Sequence, residues 1–324
     1  MSAAGEGGRK GQHPVRRQHQ SRHQGAGEGL AESVTATALL TFAMALSGTV
    51  GVLVVASGLS SISAVFFRCL FGALALSAWC ILRGRFRPSS IHRSNISIVA
   101  VSGLFLIFNW VALFQSVHFI QVGLSFVIYH LQPFWIVLIG AALLDEALSR
   151  VKLVWIAFAF AGLVLVIGPR INTVSADWTL AAGIALALIA SILYAGSTLT
   201  ARRITDVDPS FLAIVHCIIG MVVFSPVLVG FLWAEVSPVG WACLISLGIV
   251  QTGVVYTMLY ATYPKVPTAT IAVCAFLNPI TALVSDYLVY GHAITPVQGA
   301  GVAIIMIAEL GVTLGWCGRT STSS

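Results

Sequence analysis

The sequence predicts an all-α, polytopic membrane protein of ten transmembrane helices arranged as two inverted five-helix repeats. Three observations carry this: long apolar runs, a one-sided distribution of Lys and Arg, and a repeat relating the two halves of the chain. Apolar residues make up 58% of the 324 residues and charged residues 9%, where soluble domains carry about 25% charge. The mean hydropathy is +0.94. A soluble globule this poor in charge would have almost no wettable surface.

The apolar runs are about twenty residues long, the length that crosses a hydrocarbon core of about 30 Å. They place spans at about 34–57, 62–82, 95–117, 120–143, 152–170, 178–200, 210–232, 239–261, 267–290 and 294–316. Lipid offers backbone groups no water, so spans must be helices or closed barrels. Continuous rather than alternating apolar runs select helices. Residues 1–33, rich in Gly, Gln, His and Arg, read as a disordered cytoplasmic tail. Residues 34–170 and 178–316 form the two repeats, and 317–324 a second cytoplasmic tail. The first apolar run is a full span without an Ala-x-Ala cleavage site, so it reads as a retained helix rather than a removed signal. Most connections are short and leave no room for a soluble catalytic domain.

Charge sets the orientation, because cytoplasmic loops carry an excess of Lys and Arg. With the N-terminus inside, Arg9, Lys10, Arg16, Arg17 and Arg22 are cytoplasmic, as are Arg83, Arg85, Arg87 and Arg93 after span 2. Arg150, Lys152, Arg202, Arg203, Lys265 and Arg319 fall on the same side. Only Arg170 lies outside, and Arg68 lies within a span. One helix more or fewer would scramble this division. The expected location is therefore the inner (plasma) membrane, multi-pass, with both termini cytoplasmic.

The basic residues are scattered between apolar runs and form no stripe, so the pI near 9.2 does not indicate nucleic acid. Cys69, Cys80, Cys217, Cys243, Cys274 and Cys317 lie in or beside apolar runs and form no CxxC pair, so they read as packing residues. His13, His19 and His23 offer metal-ligating nitrogens, but a solvated polar tail is the plainer reading. No metal and no cofactor is expected.

The halves resemble each other. Phe67-Arg68-Cys69-Leu70-Phe71-Gly72 in span 2 matches Val215-His216-Cys217-Ile218-Ile219-Gly220 in span 7, so that Arg68 stands against His216. Leu131-Gln132-Pro133 in span 4 matches Leu277-Asn278-Pro279 in span 9. In the same register Trp110 meets Tyr256 and Phe114 meets Tyr260. Five helices per half is an odd number, so the second half is inserted upside down. Inverted repeats place a binding site near the bilayer midplane between the halves, and let it open to either side.

On these features the chain resembles the EamA-type branch of the drug/metabolite transporter superfamily, over about residues 34–316. The resemblance rests on the five-plus-five helices, on Phe67, Arg68 and Gly72, on Pro133 and Pro279, and on the Glu146 to Ser149 stretch after span 4. It implies export, less often import, of amino acids, nucleosides, metallophores, drugs or related metabolites across the bacterial inner membrane, with no prosthetic group. The chain departs from the family pattern at His292, where a Glu is usual, and at Asp286, where an apolar residue is expected.

Ionisable groups inside a bilayer cost about 2.5–3.5 kcal/mol on insertion scales, so each invites a reason. Arg68, His216, Asp286 and Glu309 are the candidates for energy coupling or helix anchoring. Asp286 is the favoured coupling group, because the repeat puts Gly140 at the mirrored position; it is expected near the outer end of span 9, within reach of water. The candidate substrate-binding set is Asn109, Trp110, Tyr129, His130, Gln132, Gln251, Tyr256 and Asn278. Gln132 and Asn278 directly precede the paired prolines, and a proline frees a carbonyl one turn earlier. Trp110, Gln132, Tyr256 and Asn278 are expected to face one central cavity. Asn and Gln bonding across helices is the structural alternative.

The expected function is a secondary transporter working by alternating access. Export of a small polar or amphipathic metabolite (an amino-acid-like compound, a metallophore or a drug) is favoured, and import is the alternative. Its partners are a small-molecule substrate and the lipid bilayer, with no nucleic acid, and the protein is a monomer or homodimer. A membrane-embedded enzyme or a channel is the rival class, but the chain carries no HExxH, no Gly-x-Ser-x-Gly elbow and no paired Asp motif. No GxxxxGK[ST] run is present to bind ATP.

Overall fold

The computed structural model describes residues 34–84, 86, 91, 92, 94–143, 149–171, 178–314 and 316. Both predicted tails, Glu146, Cys317 and the histidines of the N-terminal segment lie outside these residues. Ten described helices are long and apolar enough to cross a membrane. They are α1 (Val34–Ala56), α2 (Ser61–Leu82), α3 (Ile96–Phe119), α4 (Val122–Ala142) and α5 (Arg150–Gly168) in the first half. The second half holds α6 (Trp178–Ala201), α7 (Pro209–Leu228), α8 (Pro238–Lys265), α9 (Val273–Tyr290) and α10 (Pro296–Leu314). Every expected span is present, with ends displaced by a few residues.

Local signals fix several helix starts. A helix leaves its first N–H groups unpaired, and a side-chain oxygen at the cap satisfies them. Ser60 caps α2 by accepting from Ser63 N, Asp208 caps α7 from Ser210 N and Phe211 N, and Ser237 caps α8 from Gly240 N. Pro209 and Pro238 follow two of these caps in the first turn, where a missing N–H costs nothing. Gly291, at φ 71°, ends α9 in the left-handed region that suits glycine.

The two halves interlock by a pseudo-two-fold pattern. The helices α2, α4 and α5 pack against their own counterparts α7, α9 and α10. The off-axis contacts come in matched pairs: α3 on α6 with α8 on α1, and α2 on α8 with α7 on α3. Small residues permit the close crossings, as is usual where lipid removes the hydrophobic drive between helices. A Cβ on Gly162 would stand 2.8 Å from the carbonyl oxygen of Gly301, and one on Gly301 only 2.6 Å from that of Gly162. The five described cysteines are all buried. Large apolar side chains such as Leu74, Val164 and Leu288 are exposed on the outer surface, which suits lipid contact.

Candidate functional site: a central polar cavity between the halves

Four spans lose regular α-helical geometry at mid-depth. In α1 the helix is interrupted at Gly48–Thr49, in α4 at His130–Leu131, and in α9 at Phe276. The interruptions in α4 and α9 come just before Gln132-Pro133 and Asn278-Pro279, where each proline withholds the N–H that would reach back one turn. In α8, residues Ile249–Val254 form a π segment, an arrangement frequent at functional sites. Thr252 shows its consequence, since its hydroxyl donates to Leu247 O five residues back.

These interruptions surround one cavity of about 370 Å³. It is lined from the first half by Ser47 on α1, Arg68 on α2, Trp110 on α3 and Tyr129, His130, Gln132 and Pro133 on α4. The second half adds Tyr194 on α6, Gln251, Tyr256 and Tyr263 on α8, Asn278 on α9 and Glu309 on α10. Irregular backbone at this depth is tolerated only where it faces protein or a wet cavity. Of the eight expected binding residues, all but Asn109 line it. Asn109 stands behind the wall, donating to Ala190 O at 2.6 Å and accepting from Tyr129 Oη at 3.5 Å. It orients a lining tyrosine, and is itself fully buried.

Arg68 enters the cavity from the wall. Its Nε donates to Thr252 Oγ1 at 3.0 Å, and its guanidinium centre lies 4.1 Å from the Trp110 ring centroid and 5.7 Å from that of Phe114. Desolvated cation–π contacts contribute about 2 kcal/mol, well short of the solvation a buried cation gives up. Among the described residues no carboxylate lies within ion-pair distance of it.

A chain of hydrogen bonds crosses the cavity wall. Ser47 Oγ donates to Met44 O at 2.7 Å, Asn278 Nδ2 donates to Ser47 Oγ at 2.6 Å, and Asn278 Oδ1 meets His130 Nε2 at 3.3 Å. His130 Nδ1 then faces Glu309 Oε2 at 3.6 Å. Gln251 Nε2 donates to Leu46 O and Thr49 Oγ1, which holds α8 to the break in α1. Five buried side-chain atoms among the described residues have no hydrogen-bond partner: His130 Nδ1, Gln132 Oε1, Gln251 Oε1, Glu309 Oε2 and His216 Nε2. Four of the five belong to residues that line this cavity. Buried polar atoms are normally paired, and each left unpaired costs about 1–3 kcal/mol.

His216 and Asp286 lie elsewhere. His216 is buried against Gly103 of α3, where a Cβ would come 3.0 Å from its Cδ2, and it does not reach the cavity that its mirror partner Arg68 enters. Asp286 lines a second cavity of about 420 Å³ with Gln121, Tyr290 and His292, at the end of the bundle holding the connection from α3 to α4. Asp286 lies near the end of α9 as expected and faces this cavity, although only 2% of its surface is exposed. Gly123, lacking a Cβ, lets Leu283 of α9 press against the start of α4, and Asp286 Oδ2 accepts from Gly123 N at 3.0 Å. His292 Nδ1 holds the other oxygen at 3.0 Å.

Tyr194, Tyr263 and Ser47 also line the central cavity, and the repeat could not find them. Tyr194 mirrors Gly48 and Tyr263 mirrors Val117, so comparing the halves was silent there. The available signal was Ser47-Gly48-Thr49, polar and flexible residues in the middle of an apolar span. Among the described residues no group of three or more His, Cys, Asp or Glu is placed to hold a metal ion.

A ten-helix bundle of two inverted halves around a central polar cavity is the architecture of a secondary transporter. The EamA-like transporter family matches this chain twice, at residues 33–168 and 181–314, and the chain belongs to that family. It is 28% identical over 280 residues to the uncharacterized transporter YxxF of Bacillus subtilis, covering 86% of this chain and 89% of that one. It is 28% identical over 180 residues to the threonine/homoserine exporter RhtA of Escherichia coli, covering 54% of this chain and 58% of RhtA. A solved structure described only as that of a protein shares the fold, with a TM-score of 0.63 at 16% identity, over 88% of this chain and 99% of that one.

Proposed function

We propose that the protein is an inner-membrane exporter of a small, carboxylate-bearing, amino-acid-like metabolite, and that the central cavity binds it. The observation that carries this reading is the concentration of unsatisfied buried polar atoms in one cavity, beside a buried cation without a carboxylate partner among the described residues. A substrate carboxylate on Arg68 supplies the missing countercharge, and a substrate ammonium donates to Gln132 Oε1 and Gln251 Oε1. Trp110, Tyr129, Tyr194 and Tyr256 offer aromatic faces to its apolar part. The partial likeness to the threonine/homoserine exporter supports an amino-acid-like cargo moving outward.

The geometry also supports alternating access. Tyr263, Ile271 and Thr313 carry the lining toward the bundle end that holds Lys265, and the excess of Lys and Arg supports reading that side as cytoplasmic. Toward the opposite end, the Asp286–Gly123 bond ties the halves together. Along α4, Val122 and Leu124 line the outer cavity while Phe126 lines the central one, so the barrier between them is about one helical turn. Opening the outer contact and closing the inner one exchanges the side to which the substrate is exposed. The test is counterflow of L-threonine and L-homoserine in proteoliposomes, together with metabolite profiling of cells and medium with and without the gene. Saturable exchange supports a transporter, whereas unitary conductance in planar bilayers points to a channel.

A further inference from the structure

We propose that His130 and Glu309 together form a proton-binding site in the wall of the substrate cavity, through which transport is coupled to a proton gradient. The inference rests on the transport reading for its purpose. Its structural basis is independent of the substrate.

The direction of the hydrogen-bond chain fixes the protons. Ser47 has one hydroxyl proton and donates it to Met44 O, so Ser47 Oγ accepts from Asn278. The amide nitrogen of Asn278 therefore points at Ser47, and its oxygen points at His130 Nε2. An oxygen facing a ring nitrogen requires the hydrogen on that nitrogen, so Nε2 is the protonated position of the neutral ring. Nδ1 is then a bare lone pair, and it faces the Glu309 oxygen at 3.6 Å. Both facing atoms are buried and neither has another partner. Two acceptors do not stay face to face in a low-dielectric interior without a proton between them. One proton serves both: on Nδ1 it makes an imidazolium–carboxylate pair, and on Oε2 a neutral acid–imidazole pair.

The loaded pair is neutral, and the unloaded pair carries one negative charge inside the bundle. The charged and titratable groups around the same cavity are Arg68 on α2, Tyr129 on α4, Tyr194 on α6, and Tyr256 and Tyr263 on α8. Arg68 is the only permanent cation among them. A substrate carboxylate on Arg68 removes a charge that favours the unloaded pair, whereas a substrate ammonium beside the pair takes the place of its proton, and exchange requires this second, competing effect to dominate. The pair also joins α4 to α10, one helix from each half, at the break before Pro133. Movement between the halves changes the 3.6 Å contact itself. In export by exchange, the pair takes a proton from the outer water and gives it to the cytoplasm, while substrate travels the other way.

Asp286, the carboxylate the sequence favours for this role, is placed differently. Both of its oxygens are engaged, by Gly123 N and His292 Nδ1, and it lines the outer cavity rather than the central one.

The deciding measurement is infrared difference spectroscopy of the full-length protein in lipid nanodiscs across a pH titration. The expected result is a titrating band, either the C=O stretch of a protonated Glu309 or the ring modes of an imidazolium His130, that is lost or displaced along the pH axis in Glu309→Gln and in His130→Gln. A spectrum without such a band, or one unchanged in Glu309→Gln, overturns the proposal whatever the protein transports. The second measurement is L-threonine uptake into proteoliposomes with an imposed pH gradient. Glu309→Gln is expected to lose gradient-driven accumulation, and whatever counterflow it shows is expected to be independent of pH; a mutant that still follows the gradient overturns the coupling role. If wild-type protein moves no L-threonine, the substrate reading fails alone, and the infrared result still decides the proton site.

Discussion

Asp286 Oδ2 on α9 accepts a hydrogen bond from the backbone N–H of Gly123 in the first turn of α4. A helix N-terminus presents unpaired N–H groups and a partial positive charge, so a carboxylate from the opposite half is well matched to it. Hydrogen bonds to charged groups contribute about 1.5–3 kcal/mol. Asp286→Ala is expected to lower stability by about that amount, read as a reduced thermal midpoint in detergent by size-exclusion analysis. Asp286→Asn keeps an oxygen for Gly123 and is expected to lose less. It is also expected to keep its response to a pH gradient, in contrast with Glu309→Gln.

Arg68 offers the second prediction. Its planar guanidinium stacks on Trp110 while its Nε bonds Thr252, and a lysine ammonium reproduces the charge without the plane or the fork. Arg68→Ala is expected to abolish L-threonine counterflow. Arg68→Lys is expected to raise KM more than it lowers kcat. Equal activity of all three proteins would remove Arg68 from the binding site and leave it as a helix anchor.

The paired prolines offer the third. Pro133→Ala and Pro279→Ala each restore an N–H one turn below the carbonyls of Tyr129 and Ala275, which belong to residues lining the cavity. Restoring the helix is expected to leave folding intact or improve it, and to slow counterflow. The check is to measure thermal midpoint and exchange rate on the same preparations.

The crossing of α5 and α10 offers the fourth. A side chain at Gly301 collides with the Gly162 carbonyl and with Val166, and overpacking of this kind costs about 1–3 kcal/mol. Gly301→Val is expected to reduce the yield of monodisperse protein, whereas Gly299→Ala, where a Cβ has open space with Ile294 Cδ1 3.9 Å away, is expected to be silent.

Orientation supplies the last. Reporter fusions at Ser324 and in the α7–α8 connection at Gly230 are expected to give opposite signals, cytoplasmic at the first and external at the second. Equal signals would overturn the placement of the termini.

The ten spans were legible because a long apolar run has few other uses. Trp110 with Tyr256, and Gln132 with Asn278, were legible because the duplication repeats them in mirrored places, and polar groups at mid-depth are costly enough to be informative. The same reasoning failed where the halves have diverged. Tyr194 has only Gly48 as its counterpart, and the π segment of α8 carries no proline to announce it. His216 matches Arg68 in sequence but is turned toward Gly103, because helix rotation is set by packing against neighbours that a single span does not reveal. Asp286 stood as a candidate for coupling and for anchoring alike, because its partners, a backbone N–H on another helix and His292 beyond the end of α9, are brought to it only by the fold.

The matched contacts between the halves have a consequence for how the chain is held together. Where α2, α4 and α5 each meet their own counterparts and the α3–α6 and α2–α8 contacts have mirrored partners, the two halves face each other as the subunits of an isologous dimer do. Two separately translated polypeptides divided between Gly168 and Trp178 retain complementary surfaces, the Gly162–Gly301 crossing among them, and should reassemble into a working pair.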